Sequence, residues 1–127
     1  MIEPTERELQ ILKVLWDRGE ATVREVYETL RESLPIVQNT VQAFLRLMED
    51  KGLVAHDTRG RSFVYRATAP RQRTSEKMLS NVLDGVFDGA LDALVASAFS
   101  VKRPSAAELE RLRALLDAHE QKKGKKR

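Results

Sequence analysis

Apolar residues recur at helical spacing through the first fifty or so positions. Leu9, Leu12, Val14, Leu15 and Trp16 supply a first stripe. Thr5, with Glu8 three residues on, has the capping-box spacing that starts a helix, and Gly19 behind Arg18 stops it. A second helix starts near Thr22, again with a glutamate, Glu25, three residues later. Val23, Val26, Tyr27 and Leu30 form its apolar face, and Pro35 ends the connection that follows. The spacing predicts a third helix from Gln38 to Lys51. Val41, Phe44, Leu45 and Met48 share one of its faces; Asn39, Gln42, Ala43, Arg46 and Asp50 share the opposite one. The period then drops towards two. LVAHDT and SFVYRA flank Arg59-Gly60-Arg61 and predict a hairpin with a basic tip, its inner face set by Leu53, Phe63 and Tyr65.

After Pro70 the helical period returns. Met78, Leu79, Val82, Leu83, Val86 and Phe87 mark one segment. Gly85 and Gly89 weaken the join to the next, which holds Leu91, Leu94, Val95 and Phe99. Ser105 and Glu108 cap a last helix carrying Leu109, Leu112, Leu115 and Leu116. The expected organisation is mostly α with a small β-hairpin: a winged helix-turn-helix over 1–69, a helical segment over 70–120, and a basic solvated tail over 121–127.

The 127 residues suit one compact domain, or a small domain plus an interaction segment, and 42% hydrophobic content suffices for a modest core. The net charge of +3 is uneven. Residues 1–70 carry 10 basic and 11 acidic side chains, residues 71–120 carry 7 and 8, and the last seven carry +5. Binding to an acidic polymer therefore needs local basic patches in a nearly neutral body. No apolar run is long enough to span a bilayer, and the N-terminus lacks the basic-then-apolar order of a signal peptide. The expected compartment is the cytoplasm, with no membrane insertion. Without cysteine, and with His56 and His119 far apart, neither a metal site nor a cofactor is expected.

Three helices followed by a hairpin have the order of a winged helix-turn-helix. A major groove about 12 Å wide admits one helix whose exposed face carries hydrogen-bonding side chains. Gln42 can read adenine with two hydrogen bonds, and Arg46 can bond guanine or phosphate. Asn39 and Thr40 sit near the helix N-terminus, where backbone N–H groups favour phosphate. Arg59 and Arg61 reach the neighbouring backbone from the hairpin tip. Such a face is also what any solvated helix shows; the ordered set of elements makes DNA the preferred partner. A protein-binding adaptor is the rival reading. An enzyme is not expected, because His56 and His119 have no evident partners.

The segments TERELQILKVLWDRGEATVREVYETL, NTVQAFLRLMEDKGLV and GRSFVYRA resemble the penicillinase-repressor family of the BlaI and MecI type, which also includes CopY-like copper regulators. The resemblance is strong over 3–67 and weaker over 71–120. It implies a homodimeric repressor whose winged helix reads a half-site of a dyad-symmetric double-stranded DNA operator. It places Asn39, Thr40, Gln42 and Ala43 on groove-facing positions. Ala43 stands where threonine is common. Leu47 stands where arginine is common, with Arg46 one position earlier, about 100° away on the helix. Leu47 either faces a thymine methyl or packs against the second helix, and packing is expected. The copper branch senses through cysteine pairs that this chain lacks. In some members a membrane sensor protease provokes cleavage, and Ser97, Ala98 and Phe99 occupy that neighbourhood. The C-terminal helices could fold back in a monomer or share their apolar faces between two chains. Paired half-sites need a two-fold axis, so Met78, Val82, Val86, Phe87, Leu91, Leu94, Val95, Phe99, Leu112 and Leu116 are the expected dimer residues.

Overall fold

A computed structural model describes residues 3–125, with side chains through residue 122. The capping boxes form as their spacing requires. Glu8 N–H donates to Thr5 Oγ1 at 3.3 Å, and Thr5 N–H donates to Glu8 Oε1 at 2.9 Å, opening α1 (Glu6–Arg18). Gly19, at φ 84°, closes it and donates its N–H to the Leu15 carbonyl. Thr22 and Glu25 repeat the box at the start of α2 (Val23–Leu30), at 3.1 and 2.9 Å. By contrast, α3 (Gln38–Asp50) begins after Val37 with no side-chain cap, so more of its stability must come from packing.

That packing is dense. Ile11, Leu12 and Leu15 of α1, Val26 of α2, and Val41, Leu45 and Met48 of α3 are buried together. Against them lies a three-stranded antiparallel sheet of order β1-β3-β2, built from β1 (Ala21–Thr22), β2 (Val54–Arg59) and β3 (Ser62–Ala67). Gly60, at φ 62°, takes the first position of the two-residue turn between Arg59 and Ser62, where glycine is favoured in a II′ hairpin. The chain is thus mostly helical, a winged helix followed by further helices.

The sheet departs from expectation in two ways. β1 was not foreseen; two residues carry no alternation to detect. Phe63 does not help to fill the core under the hairpin; it is 47% exposed, whereas Leu53, Val64 and Tyr65 are buried. Phe63 and Tyr65 share a strand face, but Phe63 pairs with Thr58, one step nearer the tip, where the helices no longer cover the sheet.

α4 (Arg71–Phe87) runs through Gly85 without a break; the break comes at Asp88 and Gly89, at φ 52° and 83°. α5 (Leu91–Val101) and α6 (Ala106–Lys125) follow, the latter opened by the Ser105–Glu108 box at 3.1 and 3.0 Å. α6 continues past Glu120 into the segment expected as a tail. Lys126 and Arg127 lie outside the described residues, as do the side chains of Lys123 and Lys125. The chain divides into two compact units between Asn81 and Val82, within α4. The first unit reaches beyond the hairpin because Trp16 Nε1 donates to the Ala69 carbonyl at 3.0 Å, Thr74 is buried, and Asn81 Nδ2 donates to Glu3 at 2.7 Å. In the second unit no described side chain is buried. Leu83, Phe87, Leu94, Leu109 and Leu112 are half-buried; Val86, Leu91, Phe99, Val101, Leu115 and Leu116 are exposed.

Candidate nucleic-acid interface

The stripe that anchors α3 in the core decides which of its residues face outward. With Val41, Leu45 and Met48 inward, Asn39, Thr40, Gln42, Ala43 and Arg46 are all exposed. Gln42 and Arg46, one turn apart, line an open groove of about 620 Å³. Its opposite wall is the wing: Arg61, Ser62, Phe63 and Tyr65. The start of α2 completes it with Thr22, Val23 and Arg24, and Gln38 lies at the near end of α3. Three elements thus converge on one concave surface bearing amide, guanidinium and hydroxyl groups. Those groups suit hydrogen bonding to base edges and phosphate oxygens.

Of the two tip arginines, the structure brings only Arg61 to the groove. The Arg59 guanidinium is held in a fork by Glu20, at 2.7 and 2.9 Å. A third wing arginine, Arg66, pairs with Asp57 at 3.1 Å. Arg46 and Arg61 make no ion pair among the described residues, so both are available to an anionic ligand.

The wing is fastened to α3 by a contact that sequence spacing did not reveal. His56 has partners after all. Its Nδ1 lies 2.8 Å from both oxygens of Glu49 on α3, and its ring stacks on Phe63 at 4.1 Å and 18°. An ionised carboxylate only accepts, so His56 Nδ1–H is the donor. Tyr65 lies close by, its ring 5.4 Å from His56. Burial first, then the negative charge of Glu49, push the Tyr65 phenol above its ordinary range, with Arg46 acting in the opposite direction.

Leu47 is not buried by packing as expected; it is 55% exposed and stands outside the core cluster. A turn of about 100° per residue carries it out of the stripe formed by Val41, Leu45 and Met48. Sequence reading also passed over Arg24 and Gln38 as groove residues, and assigned Phe63 to the hairpin's inner face instead. Arg24 could have been found from its place in the first turn of the second helix, a usual phosphate-facing position.

The expected dimer residues fall on α4, α5 and α6. Met78, Phe87, Leu94 and Leu112 are half-buried, while Val82, Val86, Leu91, Val95, Phe99 and Leu116 are exposed. Ser97, Ala98 and Phe99 are exposed within α5. Among the described residues no three His, Cys, Asp or Glu side chains converge as a metal site requires, and no helix is long and apolar enough to cross a membrane.

The family model for the penicillinase repressor matches residues 4–118 of this sequence. The penicillinase repressor of Bacillus licheniformis is 25% identical over 119 residues, 94% of this chain and 93% of that one. Among solved structures, the solution structure of the Bacillus licheniformis BlaI monomeric form in complex with the blaP half-operator matches at a TM-score of 0.50 and 27% identity, over 56% of this chain and 87% of that one. A possible transcriptional regulator for arsenical resistance shares the fold at a TM-score of 0.52 and 23% identity, over 71% of this chain and 84% of that one.

Proposed function

Since the chain belongs to the penicillinase repressor family and is a winged-helix transcriptional repressor rather than an enzyme, we propose that it binds a dyad-symmetric double-stranded DNA operator as a homodimer. The observation that carries this reading is the groove shared by Gln42 and Arg46 of α3 and Arg61 of the wing. In it, α3 enters the major groove. Gln42 and Arg46 read base edges, Asn39 and Thr40 meet phosphate at the helix N-terminus, and Ala43 lies against the groove floor. Arg61 and Arg24 hold the flanking backbone, and Arg59 joins them when it leaves Glu20.

The second copy is supported by the apolar surface of α5 and α6. Leu91, Phe99, Leu115 and Leu116 lie open to water, and a second chain covers such a surface most simply while supplying the second reading head. Release by a membrane sensor protease pathway forms part of the same reading, with Ser97 to Phe99 as the cut region. These residues are helical in α5, so a protease needs local unfolding there before it can grip an extended segment.

Selection of full-length protein against a random duplex pool tests the reading. An inverted repeat should emerge, and affinity for it should fall steeply with salt. Gln42→Ala should relax preference at one position per half-site, at a cost of about 1–3 kcal/mol. A protein that enriches no sequence is an adaptor rather than a repressor of this kind. Blotting for a fragment ending near Ser97 in cells treated with a cell-wall-active drug tests release; derepression with an intact chain would reject proteolysis.

A further inference from the structure

We infer that Ala43 and Leu47 form an apolar reading patch on α3 for the C5-methyl group of thymine, on the side of the helix away from the wing. The inference rests on the proposed entry of α3 into the major groove, and it assigns a specificity-determining role to Leu47. Leu47, in the third turn of α3, is 55% exposed on a helix whose other large aliphatic side chains, Val41, Leu45 and Met48, are fully buried. Ala43, also exposed, precedes it by four residues and so lies directly beneath it on the same face. Thr40, exposed one turn before Ala43, stays at the phosphate end of the helix.

The patch is distinct from the polar site. Gln42 and Leu47 are five residues apart, about 140° around the helix. The groove under the wing is lined by Gln42 and Arg46 but not by Ala43 or Leu47. A helix seated in a major groove presents both flanks to base pairs. One flank here offers an amide and a guanidinium; the other offers the hydrocarbon of Ala43 and Leu47, bordered by the Thr40 hydroxyl and the Asp50 carboxylate.

The chemistry of the groove floor then selects the ligand. Every base pair shows donors or acceptors there, and the thymine methyl is the one apolar group. Hydrocarbon set against a thymine methyl buries apolar surface at no polar cost. Set against a G·C pair, it strips water from guanine O6 or the cytosine amino group and returns no hydrogen bond. Leu47 therefore both favours thymine and penalises G·C.

The test uses the sequence that full-length protein selects from a random duplex pool. Each thymidine is replaced singly by deoxyuridine, which pairs alike and lacks only the methyl. One position per half-site should lose affinity about fourfold, the effect of uncovering one buried methyl. Leu47→Ala should bind the thymidine duplex more weakly and lose most of the thymidine–deoxyuridine difference at that position alone. Its exposed site predicts an unchanged melting temperature. Deoxyuridine tolerated at every position, or full methyl sensitivity retained in Leu47→Ala, would overturn the inference while leaving α3 in the groove. Failure to select any sequence would remove the groove reading, and this inference with it.

Discussion

At the scale of single residues, Glu8 serves two partners at once. One carboxylate oxygen completes the cap of α1; the other accepts from Lys51 Nζ at 2.7 Å, at the far end of α3. Burial pushes its pKa up, but the Lys51 hydrogen bond, the Thr5 N–H and the Lys51 charge together outweigh it and hold the group below the usual carboxylate value. A depressed native pKa stabilises the fold above the unfolded value near 4.3, and that contribution is lost as pH falls through the native value. Lys51→Met should therefore cost about 2 kcal/mol at pH 7, since it strands a buried carboxylate. In urea titrations the gap from the parent should narrow at pH 3; a gap independent of pH would show that charge is not the cause. The wing arginines give a second prediction. Glu20→Gln removes the carboxylate that holds Arg59, so affinity for unselected DNA should rise and the salt slope should steepen by about one phosphate contact. Arg61→Ala should weaken binding more than Arg59→Ala does. Filter binding across a salt series checks both, and an unaltered slope in Glu20→Gln would place Arg59 out of reach of DNA. The cap of Glu8 was legible in the sequence because its partners are three residues apart. Lys51, Glu20 and Glu49 were not legible as partners, because nothing local pairs a carboxylate with a cation on another element.

Elements follow the same division. α1, α2 and α3 were legible because an apolar period agrees with local signals at their ends: a capping box opens α1 and α2, and a glycine follows the last turn of α1 and of α3. β1 was not, because it exists only through its pairing with Tyr65 and Val64. Phe63 shows the limit of pattern. It is an apolar residue at a plausible spacing, and only the reach of neighbouring elements decides that it stays open to solvent. The wing's attachment to α3 is likewise a tertiary matter, and it carries a prediction. His56→Ala removes the bond to Glu49 and the stack on Phe63, which should cost about 1–2 kcal/mol of stability. A looser wing should raise the dissociation rate from DNA without altering the selected motif. A changed motif would mean that His56 reads bases itself.

For the whole molecule, the first compact unit ends inside α4. A fragment ending at Asn81 keeps buried Thr74 and the Glu3–Asn81 bond, whereas one ending at Pro70 loses both. The longer fragment should melt several degrees higher, as circular dichroism can measure; equal melting would make the start of α4 irrelevant to the fold. The second unit contains no buried described residue. Leu91→Asp, at an exposed site, should give monomers in sedimentation and weak binding to a full repeat with half-site affinity retained, since the avidity of tethered heads, ~100-fold or more, is lost. A dimer in that variant would place the interface elsewhere. The uncovered leucines of α5 and α6 also bear on gene dosage. If covering them takes a second chain, the number of competent pairs in a dilute cell rises as the square of chain abundance, so halving synthesis removes about three-quarters of them. Such a cell would switch its target genes over a narrow band of repressor production, and a daughter inheriting fewer chains at division would express them briefly before its sister did.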